Sequence, residues 1–160
     1  MKLTIQPLTD AQIREFSGWQ YGGPYVLYNM SAENEAERLA FFRDPANGYF
    51  AIVDEASTLL GFCNFGADAQ VPGGDYSDDA IDVGIGIRPD LTGQGRGAAY
   101  TQAVLAFAQA HYPGQALRVT IAEFNRRAQR VCEKHGFEEV DKFERAVDKR
   151  PFLIMMKQNP

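Results

Sequence analysis

Only two histidines, two cysteines and one tryptophan occur among the 160 residues. Cys63 and Cys132 stand alone, so no metal-ligand spacing exists, and two isolated thiols in a chain without an export signal are expected to stay reduced. Long hydrophobic runs are missing as well. No apolar stretch approaches the roughly 20 residues of a membrane span, and the opening MKLTIQPL turns polar too soon for a signal peptide. A cytoplasmic protein with no membrane partner is expected. Positive charge is in deficit: 16 Lys and Arg against 21 Asp and Glu leave a net −5, which argues against nucleic acid or anionic lipid as partner. His111 and His135 each fall where a helix should end, and His135 directly precedes Gly136, so favourable contact with a helix dipole explains both better than catalysis.

What is present suits a single domain over residues 1–160, with 45% apolar residues and no repeat, linker or low-complexity segment. LTIQPL, from Leu3, alternates as a first strand, and Thr9 with Asp10 caps a short helix to about Phe16. Residues 17–30 are too irregular for a helix and unusually aromatic. Ser31 is expected to cap a second helix, with Asn34 and Glu35 near the reciprocal capping position, ended by Asp44-Pro45. YFAIVDE and TLLGFCNFG form an antiparallel hairpin about Ala56-Ser57. A polar, acidic connection over residues 67–79 leads to a fourth strand at residues 81–87. ALRVTI, residues 116–121, supplies a fifth, and residues 138–143 and 151–157 close the sheet. The order predicts an α+β sandwich, one mixed central sheet with helices on both faces.

Residues 80–110 run a strand through a Pro-containing turn into Gly93, Gly95 and Gly97 and on into a long helix. Glycines at alternate positions let successive backbone N–H groups share one concavity, and the helix start adds its positive end. A nucleotide-like diphosphate is the ligand this suits. A P-loop would need Lys and then Ser or Thr after the last glycine, where Ala98 and Ala99 stand. A dinucleotide fold would place its glycines directly after the strand, where Arg88 to Thr92 intervene.

The hexapeptide Thr92-Gly93-Gln94-Gly95-Arg96-Gly97 resembles the acetyl-coenzyme A motif of the GNAT acyltransferase family, with Thr92 in place of the usual Arg or Gln. Gln94 and Arg96 are candidates to replace its lost contact. Downstream, Asn125 opens NRRAQRVCEKHGFEEV, similar to the family's second signature of Asn, helix and Gly-Phe pair. The resemblance implies a GNAT-like domain whose sheet is splayed between strands 4 and 5. It implies acetyl-coenzyme A as donor, held by Gly86, Ile87, residues 92–98 and Asn125, and no metal. Arg126, Arg127, Arg130 and Lys134 crowd one helix, either a solvated face or help for the cofactor's phosphates.

Acyl transfer from a thioester to an amine needs an unprotonated nucleophile, a polarised carbonyl and a proton for the departing thiolate. Gly84 and Gly86 alternate in strand 4, which points either to close approach by a ligand or to a bulge. By resemblance, amides near Ile87 face the acetyl carbonyl. Asp82 aligns with a Glu that accepts the amine proton in many relatives; an ordinary strand-entrance aspartate is the alternative. Cys132 stands where relatives carry a proton-donating Tyr, yet Ala128, Val131, Cys132 and His135 keep core-helix spacing, and solvent, Tyr28 or Tyr100 are other proton sources. Asn125 suits an N-cap, a pantetheine contact or both.

The acceptor is sought among Trp19, Tyr21, Tyr25 and Tyr28, with Asn64 and Phe65 on the third strand, rimmed by Asp68, Asp75, Asp78 and Asp79. Such a cluster suits a cationic amine, or plain core packing. The expected activity is direct N-acetylation of a small-molecule or peptide amine, in a monomer or homodimer. The rivals are a non-catalytic acyl-coenzyme A sensor and an unrelated nucleotide-binding fold.

Overall fold

The computed structural model describes residues 2–30 and 34–158. Seven strands, β1 (Thr4–Pro7), β2 (Tyr49–Val53), β3 (Leu59–Phe65), β4 (Ile81–Ile87), β5 (Leu117–Ala122), β6 (Glu138–Glu144) and β7 (Pro151–Lys157), form one sheet in the order β1-β2-β3-β4-β5-β7-β6. Every neighbouring pair is antiparallel except β4 and β5, which run parallel and pair only at Ile81↔Leu117 and Asp82↔Arg118. Past that point the two strands separate, as the splay between strands 4 and 5 requires.

Helices α1 (Asp10–Ser17) and α2 (Glu35–Arg43) cover one face, and α3 (Gly97–His111) and α4 (Arg126–Lys134) the other. Local chemistry sets their ends. Thr9 and Gln12 form a reciprocal capping box on α1. The cap of α2 is Asn34, whose side chain accepts the N–H groups of Ala36 and Glu37; the expected cap Ser31 lies outside the described residues. At the hairpin, Asp54 Oδ1 accepts the N–H groups of Ala56 and Thr58, both at 2.9 Å, while Ser57 takes φ +62°. His111 and His135 each donate Nδ1–H to a carbonyl one turn back, at 2.9 and 2.8 Å, which makes them helix-end residues.

The core has two parts. Ile13, Phe16, Leu39, Phe42, Ala51 and Val53 pack under α1 and α2, and Cys63, Phe65, Val83, Tyr100, Val104, Leu117 and Cys132 pack under α3 and α4. Both cysteines are free thiols inside the second cluster, and burial pushes each up to about 12. An unfolded chain ionises these thiols from about pH 9, whereas the folded chain keeps them protonated toward 12. The unfolded state therefore binds fewer protons above pH 9, and stability falls there by about 1.4 kcal/mol per pH unit per thiol. Urea unfolding at pH 8 and pH 10.5 is expected to show this slope, and a Cys63→Ala, Cys132→Ala double variant is expected to flatten it.

Candidate active site

Backbone hydrogen bonding defines the site before any side chain does. Arg88 N–H donates to Leu60 C=O and Gly66 N–H to Asp82 C=O, both at 2.9 Å, at the two ends of the β3–β4 register. Antiparallel alternation then commits the groups of Gly84 and Gly86 to β3 and turns those of Ile85 and Ile87 the other way, into the gap that β5 has vacated. On β5, Glu123 N–H donates to Pro151 C=O at 3.0 Å, so the odd residues face β7 and Ala122 faces the same gap. Two open strand edges thus confront each other. Polar groups on such edges need partners, and the amides of an extended ligand can supply them.

At the mouth of the gap, the N–H groups of residues 93–98 have no acceptor among the described residues. Gly93 and Gly95 take φ +73° and +75°, which folds these amides into one concavity at the start of α3. Two neighbouring side chains fasten the turn instead of reaching outward: Thr92 Oγ1 donates to Pro89 C=O at 2.7 Å, and Gln94 Nε2 to Asp90 C=O at 2.6 Å. Arg96 is exposed. The second cation at the turn comes from α4, where Arg127 Nη1 lies 2.6 Å from the place a Cβ on Gly93 would take. Arg126, Arg130 and Lys134 are exposed on the same helix.

The glycines of β4 have a different cause from either one expected. A Cβ on Gly84 would collide with Asn64 Oδ1, and one on Gly86 with the Phe62 ring, because these β3 side chains lie across the strand. Gly86 therefore offers a ligand neither its amide nor its missing side chain; Ile85 and Ile87 carry the free edge. Asn64 is 4% exposed with Nδ2 unpartnered among the described residues, on the face that also carries Tyr49 and its hydrogen-bonded partner Asp68. Phe65, one residue on, points to the opposite face, where it packs on Phe107 and Tyr112 with centroids 5.5 Å apart in each case. Adjacent strand residues cannot wall one pocket, and Phe65 belongs to the core.

Asp82 is also corrected. It is 5% exposed, and its carboxylate receives Arg118 Nε at 2.6 Å, Arg118 Nη2 at 2.8 Å and Gln70 Nε2 at 2.9 Å. Arg118 further donates to Asp78 C=O at 2.9 Å and lies 4.9 Å from the Tyr76 ring centre. Tyr76 in turn bonds Thr120 and receives Val71 N–H. This network sits where β4 and β5 part, tying both strands and the acidic connection together. A carboxylate held by two guanidinium contacts and an amide is not a free base. The signal for it was an arginine centred in the apolar run ALRVTI, opposite an aspartate in the paired strand.

Cys132 is 8% exposed in the core beside Ala128 and Phe137. Raised to about 12 by burial, its thiol is a weaker acid than an ordinary thiol near 8.5. It is placed for packing and not for proton donation.

Asn125 serves two partners. Its Oδ1 caps α4 by accepting Ala128 N–H at 3.3 Å, and its Nδ2 donates to the Tyr28 hydroxyl at 3.2 Å. Gln129, buried and unexpected, donates to Ala122 C=O at 3.2 Å and Glu123 C=O at 2.8 Å, fixing the exit of β5.

Three of the four expected aromatics meet over the gap. The Tyr21 hydroxyl donates to Ile87 C=O at 2.7 Å, Tyr25 packs on Phe124 at 5.3 Å and under the Arg127 guanidinium at 4.5 Å, and Tyr28 reaches Asn125. Trp19 instead packs on Phe16 and Phe62, at the border of the first core cluster. Behind Phe124, on which Tyr25 packs, lies a cavity of about 230 Å³ lined by Leu27, Ala122, Phe124, Arg150, Pro151 and Phe152. Among the described residues no cluster of His, Cys, Asp or Glu is arranged to hold a metal, and no helix is long and apolar enough to cross a membrane.

A splayed sheet, a glycine-turned amide nest at the start of a helix and an Asn-capped helix on the facing strand define an acyl-carrier-binding α+β sandwich. The chain matches the acetyltransferase (GNAT) domain over residues 2–138 and belongs to that family, whose acetyl donor is acetyl-coenzyme A. Its fold is that of the N-acetyltransferases it superposes on, and the matched domain is of the acetyltransferase class. A chimera of spermidine N-acetyltransferase SpeG from Vibrio cholerae and hSSAT superposes with TM-score 0.78 at 17% identity, over 99% of this chain and 96% of that one. A GNAT-family acetyltransferase from Bacillus anthracis gives 0.74 at 14% identity over 99% and 96%. A phosphinothricin acetyltransferase from Sinorhizobium meliloti, in complex with AcCoA, gives 0.68 at 17% identity over 99% and 89%. No curated protein sequence matches the chain.

Proposed function

We propose that this protein transfers acetyl from acetyl-coenzyme A directly to the primary amine of a small molecule or peptide. One observation carries the reading: the amides of residues 93–98, without acceptors among the described residues, follow one turn, Pro89–Leu91, after the strand whose Ile85 and Ile87 edge opens into the gap. A diphosphate at the turn, supported by Arg127, leaves an amide-bearing arm to run along that edge. Bound there, acetyl-coenzyme A supplies a thioester. The N–H groups of Ile85 and Ile87 are the donors available to its carbonyl, with Tyr21 fastened to Ile87 C=O beside them. Asn125 holds the β5 side. The cavity beside Ala122 is room for the acceptor, and spermidine and phosphinothricin, after which two of the structural neighbours are named, are amines of the same chemical class.

With Asp82 tied to Arg118, Asp82 is not available as base among the described residues, and the amine is expected to enter neutral and the rate to rise with pH as the acceptor deprotonates. The same burial of Asp82 and Cys132 favours a second reading, a sensor that binds the acyl carrier without turnover. Acetyl-coenzyme A mixed with polyamines, aminoglycosides, amino acids and peptides, with thiol release followed, separates the two. Turnover is the expected outcome. Calorimetric binding without release on any amine selects the sensor, and absence of binding removes both.

A further inference from the structure

Tyr28 ends the 3-10 turn Gly23–Tyr28, which follows Gly22 and carries Gly23 at φ +58°. Its phenol oxygen accepts from Asn125 Nδ2 at 3.2 Å on the β5 side, with the backbone of Ala122 close by. Among the described residues its own proton has no acceptor. The parallel pairs Ile81↔Leu117 and Asp82↔Arg118 share one offset, 117 − 81 = 118 − 82 = 36. Carried forward, that offset sets Ala122 level with Gly86, between the two residues that turn their free edge into the gap.

The other candidate acids are committed elsewhere. Tyr21 spends its proton on Ile87 C=O, Tyr25 is stacked between Phe124 and Arg127, the Tyr100 hydroxyl is sealed in the core with the residue 1% exposed, and Cys132 is in the core. A hydroxyl that accepts from a fixed donor has its proton free to give and its resulting anion already stabilised. Tyr28 is 38% exposed, so the proton can be replaced from solvent.

We propose that Tyr28 is the catalytic acid of this enzyme, giving its proton to the departing coenzyme A sulfur, the role that a helix residue at Cys132 does not fill. The inference rests on the acetyl-transfer reading above. The acceptor nitrogen forms a bond to the thioester carbonyl carbon, the carbon–sulfur bond breaks with its electron pair going to sulfur, and sulfur takes the Tyr28 proton. The nitrogen loses its extra proton to water. The Tyr28 phenolate, held by Asn125, is reprotonated from solvent. Burial raises this phenol above the ordinary tyrosine value, with Tyr25 adding to the rise and Asn125, the Ala122 backbone and Arg145 pulling the other way, so it stays protonated through neutral pH.

Two measurements on the full chain test this, with Tyr28→Phe and Cys132→Ala compared with the unsubstituted protein. The first needs no acceptor: the thiol of bound coenzyme A is titrated by the ultraviolet absorbance of its thiolate. A hydroxyl donating to sulfur favours the thiolate, so Tyr28→Phe is expected to raise that thiol's pKa and Cys132→Ala to leave it in place. The second is turnover with an amine found to be accepted. Tyr28→Phe is expected to lower kcat by about 10²-fold with KM for acetyl-coenzyme A within about twofold, the scale of a lost general acid. Cys132→Ala is expected to keep kcat. Fluorotyrosine at position 28 preserves shape and is expected to move the alkaline limb of the rate profile to lower pH. An unchanged thiol titration, or full kcat in Tyr28→Phe, overturns the proposal. If coenzyme A binds and no amine is acetylated, the transfer reading fails, and the thiol titration still decides whether Tyr28 touches sulfur.

Discussion

Replacing Asp82 by alanine is expected to lower the stability of the fold by about 3–5 kcal/mol, the scale of breaking a buried pair from one side. The loss comes mainly from Arg118, which is 3% exposed and would keep its charge with the Asp78 carbonyl, the Tyr76 ring and the more distant carboxylates of Asp75 and Asp78 in place of its paired partner. Urea unfolding reads the effect directly. A second substitution separates this role from proton transfer. Removing both charges, with Asp82→Ala and Arg118→Met together, is expected to recover much of the stability, because an apolar pair of similar volume replaces a desolvated ionic one. If the pair is architectural, the recovered protein also acetylates its acceptor. A double variant as stable as the parent yet inactive would return Asp82 to the chemistry.

This pair also shows why part of the site was hidden in the sequence. Elements whose determinants are local were legible: β4 and β7 fall on their expected residues, since each is a short apolar run with a breaker near its ends, and α1 begins at the Thr9 cap. The glycine turn was legible for a similar reason, since φ above zero is needed at Gly93 and Gly95 whatever surrounds them. The expected cavity wall failed on a local rule: Asn64 and Phe65 are neighbours on one strand, and alternation alone forbids their sharing a face. The glycines at 84 and 86 are different. Their cause is two side chains on the next strand, Asn64 and Phe62, and nothing within β4 announces them. The same holds for Tyr21 on Ile87, Tyr28 on Asn125 and Arg127 on Gly93, contacts between segments far apart in the chain.

The largest effect on ligand binding is expected from Gly95→Ala. At φ +75° an alanine is strained by about 1–2 kcal/mol, but a Cβ there meets no protein atom within 4 Å. Stability should therefore fall only by the backbone term. The concavity suffers more, because the left-handed backbone at residue 95 is what turns the amides of residues 93–98 together, and an alanine that relaxes out of it turns them apart. Losing two charge-assisted hydrogen bonds, at about 1.5 kcal/mol or more each, weakens acetyl-coenzyme A binding by about 100-fold. Gly114→Ala is the matched control, since Gly114 has φ +78°, equally open surroundings and a place beyond the other end of α3. Both variants should lose similar stability in a thermal melt. Only Gly95→Ala should lose the calorimetric signal for acetyl-coenzyme A; equal binding by the two would mean that the turn does not hold the donor.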